Sequence, residues 1–245
     1  MKIIAMITAR SSSSRFPRKH LALLGGKPMI QNIIENLRLL KHIDEIVLAT
    51  TTKDTDNDLV ELCMSEGISI FRGSEDNTVL RHGGVLDMCQ PDLVIPISGD
   101  CPFMDIDGCQ AVIDASIAHP DYDGYSIQSP YASSPEIMIA IHARSWFTKA
   151  FQVYEEDPTV CGADQYNVAV NLNPDRFSKY VVDGTDIIDR TVTSMKFSID
   201  WRLEMEFFNA VIEVMGHYPH HITDFIKAFT DMRNIGFTWR DKGAS

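Results

Sequence analysis

The stretch ITARSSSSRFPRKHL, residues 7–21, holds four serines, three arginines and a lysine, and no acid. Hydroxyls, backbone donors and cations packed at this spacing suit an anion with many oxygens, such as a polyphosphate. Arg10, Arg15 and Arg18 can grip phosphate oxygens bidentately, and Lys19 can follow charge as it develops on a leaving group. By charge alone the same run also fits a solvated basic face. What singles it out is its setting in a chain of formal net charge -12. Of the 22 Lys and Arg residues, six precede the first acid, Glu35, so the rest of the chain carries 16 basic groups against all 34 acidic ones.

A second feature is the turn GDCP at residues 99–102. Asp100 in it fits either a turn residue or a carboxylate offered to a cation. Neither of the two common phosphate loops is present after the first strand. G-x-G-x-x-G and G-x-x-x-x-G-K-[ST] both need glycines, and the chain has none before Gly25. The four D-x-D pairs, at Asp54/Asp56, Asp56/Asp58, Asp105/Asp107 and Asp121/Asp123, fit a metal-dependent glycosyltransferase, but a motif that recurs four times says little about any one site.

The elements that must position these residues are legible as periodicity. KIIAMIT (2–8), EIVLAT (45–50), ISIFRG (68–73) and DLVIPIS (92–98) read as short buried strands. Between them lie helices. One starts at Pro28 with Met29, Ile30, Ile33, Ile34, Leu37 and Leu40 on one stripe, and others cover 56–67 and 79–88. Such alternation predicts a parallel sheet, whose ligands gather at the carboxyl ends of the strands. Both the basic loop and GDCP fall there. Further on, the spacing predicts helices over 106–119, 144–156 and 201–216 and a short one around DFIKAFTDM. It predicts strands over 136–143, 176–183 and 194–200, and leaves 157–175 unassigned.

Composition sets the remaining bounds. With 245 residues, 44% of them hydrophobic, the chain reads as one domain over 1–245, with room for a dimerisation arm within 120–195. The acidic balance disfavours nucleic acid and anionic membranes as partners. The absence of an apolar run of about 18 residues and of a cleavable leader pattern predicts a cytoplasmic protein. Five cysteines without a C-x-x-C pair read as reduced thiols. The histidines of HYPHH (217–221) lack zinc-ligand spacing and read as surface.

The segment ARSSSSRFPRK (9–19) resembles the A-R-x-x-S-[ST]-R-x-P-x-K motif of the CTP-dependent cytidylyltransferases that activate sugar acids, and most of all their spore-coat-polysaccharide branch. That resemblance implies that Ala9, Arg10, Ser13, Ser14, Arg15 and Lys19 hold the CTP phosphates and the cytosine-side backbone. FRGSEDNTVLRH (71–82) is similar to a second motif of the branch, departing from it at Asn77 to Leu80 and at His82, and implies nucleotide-facing roles for Arg72 and Arg81. SGDCPF (98–103) resembles the G-D-x-P motif, which implies magnesium at Asp100 and a base contact at Ser98. FSIDWRLEMEFF (197–208) resembles the late strand-aspartate-helix, which implies Asp200 as the second metal-binding carboxylate; by residue type alone Asp200 also fits a helix cap.

As a whole the resemblance implies a three-layer, Rossmann-like α/β fold of the nucleotide-diphospho-sugar transferase type, with a mainly parallel sheet. It implies an enzyme that transfers CMP from CTP to an acidic acceptor, a sugar acid or a phosphonate, with Mg2+ as cofactor and a homodimer as assembly. Arg10, Lys19, Asp100 and Asp200 are then the catalytic residues. A metal-dependent glycosyltransferase and an inactive nucleotide-binding homologue are the alternatives.

Overall fold

The computed structural model describes residues 1–128, 139–156, 173–184 and 196–221, together with Asp224, Phe225, Lys227, Ala228 and Asp231. Its strands are β1 (Ile3–Thr8), β2 (Leu23–Leu24), β3 (Lys27–Pro28), β4 (Glu45–Thr51), β5 (Ser69–Gly73), β6 (Leu93–Ser98), β7 (Gly124–Gln128), β8 (Ile141–Ala143) and β9 (Lys179–Asp183). Its α-helices are α1 (Met29–Leu39), α2 (Asn57–Ser65), α3 (Thr78–Cys89), α4 (Ile106–Ala118), α5 (Arg144–Glu156) and α6 (Arg202–Met215). Seven strands form one sheet in the order β5-β4-β1-β6-β8-β7-β9, and β2 and β3 form a separate hairpin. The pairs β1–β4, β1–β6, β4–β5 and β7–β9 are parallel, and only β8 runs against its neighbours.

The sheet is mainly parallel because its central strands are apolar on both faces. In β1, Ile3, Ala5 and Ile7 join a cluster with Ile30, Ile33 and Ile34 of α1, Leu59 of α2 and Val112 of α4. Ile4 and Met6 point the other way, to Val85 and Leu86 of α3 and Trp146 and Phe147 of α5. The result is three layers, helix on sheet on helix. Burying each large side chain of the α1 stripe contributes about 1.5–3 kcal/mol. The paired glycines in α3 do not break it. A side chain at Gly84 would lie 2.0 Å from the Phe71 ring, so the missing Cβ is the seat of that ring. A third cluster, lying outside the sheet, gathers Phe16, Phe103, Phe197 and Ile199 around Phe207, Phe208 and Val211 of α6.

The structure corrects four expectations. SMKFSID was expected as a strand, yet described residues 196–200 pair with no strand. Phe197 and Ile199 are buried because the aromatic cluster takes them, and among the described residues a backbone bond from Ile199 N–H to the carbonyl of Asp100 at 2.8 Å ties the segment to the Asp100 turn. The strand expected over 176–183 starts only at Lys179, after a 3-10 turn at Pro174–Arg176. Of the strand expected over 136–143 only Ile141–Ala143 is formed, and 136–138 lie outside the described residues. GYSIQ, unassigned from sequence because glycine, serine and glutamine interrupt its apolar pattern, is β7. Cys161 and most of the unassigned stretch also lie outside the described residues, where Asp224, Phe225, Lys227, Ala228 and Asp231 alone represent the last helix. Among the described residues, Cys63, Cys89, Cys101 and Cys109 form no disulfide with one another, and no helix is long and apolar enough to cross a membrane. His217, His220 and His221 are exposed.

The second half of the sheet is tied together by Asp123, just before β7. Its carboxylate accepts from Ser178 N–H at 2.9 Å, from the Ser178 and Ser145 hydroxyls at 3.0 and 2.7 Å, and from Lys149 at 2.6 Å. Burial pushes its pKa up, but Lys149 and these donors outweigh burial and bring it down to about 2. A carboxyl whose folded pKa is depressed stabilises the fold above its unfolded pKa and loses that contribution as pH falls toward the folded value. Asp123→Asn is therefore expected to be less stable than the unaltered chain at neutral pH, with the gap narrowing between about pH 4 and pH 2. Urea titrations across that range check this; a gap independent of pH contradicts it.

Candidate active site

Strands β1, β4 and β6 are parallel neighbours, so the loops that follow them open on one edge of the sheet. The loops after β1 and β6 meet closely. Gly99 N–H donates to the Thr8 carbonyl at 2.9 Å, and a Cβ at Gly99 would lie 2.7 Å from Ala9 Cβ and 2.9 Å from Thr8 O. Only glycine allows that approach. Ala9 and Gly99 are both buried, and they set the distance between the basic loop and the Asp100 turn.

Lys19 joins the two distant carboxylates. Its Nζ lies 3.0 Å from Asp100 Oδ2 and 3.1 Å from Asp200 Oδ1, and its side chain is 6% exposed. Around this core, Arg15 reaches Asp200 Oδ1 at 2.9 Å and its guanidinium lies 5.8 Å from the Trp201 ring centroid. Lys196 holds Asp200 Oδ2 at 3.1 Å and Glu204 at 2.8 Å. The Glu204 carboxylate accepts from the N–H groups of Asp200 and Trp201 at 2.6 and 3.0 Å, satisfying two donors at the start of α6. The Ser98 hydroxyl donates to Asp100 Oδ1, and the Cys101 thiol lies 3.5 Å from it.

These contacts set the charge states. Burial pushes the Asp100 carboxyl upward, but Lys19, the Ser98 hydroxyl and the Cys101 thiol outweigh it, so the pKa ends below the ordinary value. Asp200 is likewise pushed up by burial, but Lys196 and Lys19 outweigh it and its pKa also ends below the ordinary value. Both are carboxylates at neutral pH. His20, beside Lys19, is buried and neutral, since burial and the Lys19 charge bring its pKa down to about 4. Asp100 and Asp200 thus present hard oxygen donors converging on one cation. That donor set suits magnesium, which keeps several waters and needs only one or two carboxylates. No group of three or more His, Cys, Asp or Glu able to hold a metal occurs among the described residues.

The basic loop is built around a residue that sequence reasoning valued only as part of a D-x-D pair. Asp56 is fully buried. Its Oδ1 accepts from Ser11 N–H at 2.7 Å, and its Oδ2 from Thr50 Oγ1 and Thr51 N–H at 2.9 and 3.1 Å and from the Thr51 hydroxyl. The Ser11 carbonyl in turn accepts from Arg18 N–H at 3.1 Å, closing the loop. Arg18, at φ +56°, is left-handed and pairs with Asp58. Ser13 accepts from Phe16 N–H at 3.3 Å, and Ser14 is exposed. The N–H groups of Ser12, Ser13, Ser14 and Arg15 find no partner among the described residues. Arg10 touches the Glu75 carbonyl at 3.2 Å and has no carboxylate partner among the described residues.

The two arginines expected to face the nucleotide bond to neighbouring loops. Arg72 spends its donors on the carbonyls of Thr51 and Lys53, at 2.9 and 2.7 Å, and on Asn57 Oδ1 at 2.8 Å. Arg81, 2% exposed, donates to the Ser74 carbonyl at 2.6 Å and to Thr78 Oγ1 at 3.0 Å. Both hold neighbouring loops in place, and neither is brought to the Lys19 cluster. The D-x-D pairs fare no better. Each contains one buried, committed carboxylate: Asp56; Asp123; or Asp105, which caps α4 by accepting from Gly108 N–H at 2.8 Å. Sequence reasoning missed Asp56, Lys196 and Glu204. Of these, only Glu204 carried a signal, its position three residues into α6.

A family model described as Cytidylyltransferase matches residues 4–178. The chain is 26% identical over 249 residues to an uncharacterised protein of Methanocaldococcus jannaschii, covering 99% of this chain and 97% of that protein. It is 30% identical over 142 residues to the spore coat polysaccharide biosynthesis protein SpsF of Bacillus subtilis, 56% of this chain and 59% of that one. It is 35% identical over 122 residues to an 8-amino-3,8-dideoxy-manno-octulosonate cytidylyltransferase of Shewanella frigidimarina, 49% of each. The match to the last two thus covers about half of each. The structure of a cytidylyltransferase from Leptospira borgpetersenii superposes with a TM-score of 0.81 at 20% identity, over 98% of this chain and 99% of that one, and so shares the fold.

The close approach at Gly99 is directly testable. Gly99→Ala puts a methyl group against backbone as well as side chain, which is expected to cost about 1–3 kcal/mol as overpacking. Urea denaturation measures it, and a variant as stable as the unaltered chain would show that the two loops are not held this tightly.

Proposed function

The chain belongs to the cytidylyltransferase family, and from this premise we propose that it transfers CMP from CTP to an acidic acceptor, a sugar acid, with release of pyrophosphate. The observation that carries the reading is Lys19 bound to Asp100 and Asp200 at once, at 3.0 and 3.1 Å, on the strand-end edge. The octulosonate activity named for the Shewanella relative supports a sugar acid ahead of a phosphonate.

In the reaction the acceptor's hydroxyl oxygen attacks the α-phosphorus of CTP and loses its proton to solvent, the bond to the bridging oxygen breaks, and pyrophosphate leaves with the displaced electron pair. Charge accumulates on oxygens that fixed donors must meet without reorganising. Lys19 is one such donor, because burial and two carboxylates hold its ammonium in place. Arg10, Arg15 and the open N–H groups of residues 12–15 take the triphosphate. Ala9, Ser13, Ser14 and Ser98 line the path of the nucleotide, with Arg72 and Arg81 shaping the loops around it. Asp100 and Asp200 would hold magnesium, which supplies positive charge to the phosphate oxygens.

The test is pyrophosphate release from CTP and magnesium with a panel of sugar acids and phosphonates. Release with a sugar acid is the expected outcome. Release only with phosphonates would move the acceptor to that class, nucleoside diphosphate freed from a nucleotide-sugar donor in a parallel assay would mean glycosyl transfer, and CTP binding without turnover would mean a nucleotide-binding homologue. With the productive acceptor, Lys19→Ala and Asp100→Asn are each expected to lower kcat by about 100- to 1,000-fold, the loss typical of one well-aimed donor. Their circular dichroism should be unchanged. Near-normal turnover in either variant would sink the mechanism.

A further inference from the structure

Asp56 lies between β4 and α2 at 0% exposure, and its four partners are all hydrogen-bond donors. Burying a carboxylate costs several kcal/mol unless its lone pairs are filled. Beneath a loop rich in cations and open N–H groups it also repels any anion the loop receives, so its presence calls for a geometric reason.

The reason is in what it joins. One oxygen holds the end of β4 through both threonines, and the other holds Ser11 N–H, 45 residues away in sequence. The same peptide segment then takes Arg18 N–H on the Ser11 carbonyl, and Arg18 leads directly into the turn Lys19–Leu21. A continuous chain of bonds thus runs from Asp56 through Ser11 and Arg18 to the start of Lys19. Between its two anchored ends, residues 12–15 keep their N–H groups unspent.

We propose that Asp56 is a positioning residue for the polyphosphate loop: it fixes Ser11 so that the N–H groups of residues 12–15 and the Lys19 ammonium are presented together to a triphosphate. The proposal rests on the reading of the loop as the triphosphate site. Asparagine at this position has one acceptor oxygen instead of two. It can therefore serve Ser11 N–H or Thr51 N–H, but not both.

The experiment compares the unaltered chain, Asp56→Asn and Thr51→Val, with two probes free of turnover: inorganic triphosphate by calorimetry and cytidine by ligand-observed NMR. In Asp56→Asn, triphosphate affinity is expected to fall by about 30-fold, as for a lost buried backbone partner, while cytidine binding stays unchanged. Thr51→Val, which spares the Ser11 bond, should keep triphosphate affinity within about 3-fold of the unaltered chain. Unchanged triphosphate binding in Asp56→Asn, an equal loss for both probes, or no triphosphate binding by the unaltered chain overturns the proposal. If Asp56→Asn does not fold, amide exchange in the unaltered chain decides. Ser11 should be protected while Ser12 to Ser14 exchange freely and slow on adding triphosphate; a Ser11 amide as fast as theirs overturns it. An unaltered chain that binds triphosphate but shows no preference for CTP over other nucleoside triphosphates would count against cytidylyl transfer and leave the role of Asp56 standing.

Discussion

Everything in the candidate site depends on one buried ammonium lying between two carboxylates. Asp100 Oδ2 and Asp200 Oδ1 both contact Lys19 Nζ, so the two carboxylates sit close enough to repel each other across a partly desolvated space. Without a cation between them, one would be pushed toward protonation. With Lys19 in place both stay charged and oriented, and the ammonium itself is immobilised. Each group keeps the other two in the state that phosphate chemistry needs, which makes the cluster a unit in which a single substitution disturbs all three members.

Bringing Asp100 and Asp200 together falls to the aromatic cluster outside the sheet. The Asp100 turn continues into Phe103, whose ring lies 4.6 Å from Phe208 of α6 and 5.7 Å from Tyr218. Tyr218 donates its hydroxyl to the Pro102 carbonyl at 2.6 Å. From the other side, Asn209 of α6 is held by the hairpin, accepting from Gly25 N–H at 2.8 Å and donating to the Leu23 carbonyl at 2.9 Å. Helix α6 is thereby packed against the turn that carries Asp100, while the segment leading into it carries Asp200. The one backbone bond between Ile199 and Asp100 then sets the fine register. Apolar packing supplies the energy here, and hydrogen bonds supply the geometry.

This division explains what was legible in the sequence. Central strands such as β1 and β6 announce themselves because both faces are buried, and the parallel layout followed from them. Lys19 and Asp100 were legible because each lies in the loop that follows such a strand. The segment before Asp200 misled because apolar residues spaced for burial look alike whether they face a sheet or a cluster of phenylalanines. Asp56 was hidden for a different reason: its value comes from Ser11 and Thr51, and nothing local marks a carboxylate whose role is to accept from a distant backbone. Arg72 and Arg81 are the converse case. Their motif resembles a nucleotide-facing one, and the structure adds bonds to Thr51, Lys53, Asn57, Ser74 and Thr78 that no local pattern announces.

The cationic loop in an acidic chain also finds its physical account. Most of its cations are paired at rest: Arg18 with Asp58, Arg15 with Asp200, Lys19 with Asp100 and Asp200. The pairs differ in burial. Arg15 and Arg18 are 52% and 60% exposed, and exposed pairs of this kind are worth about 0–1 kcal/mol, so an arriving polyphosphate can take those guanidiniums at little cost. Lys19 is nearly enclosed and cannot be drawn away so easily. In the proposed reaction, capture belongs to the exposed arginines and positioning to the buried lysine. A surplus of acids over the rest of the chain works with this arrangement, because it sets the loop apart as a concentrated cationic place for a polyanion.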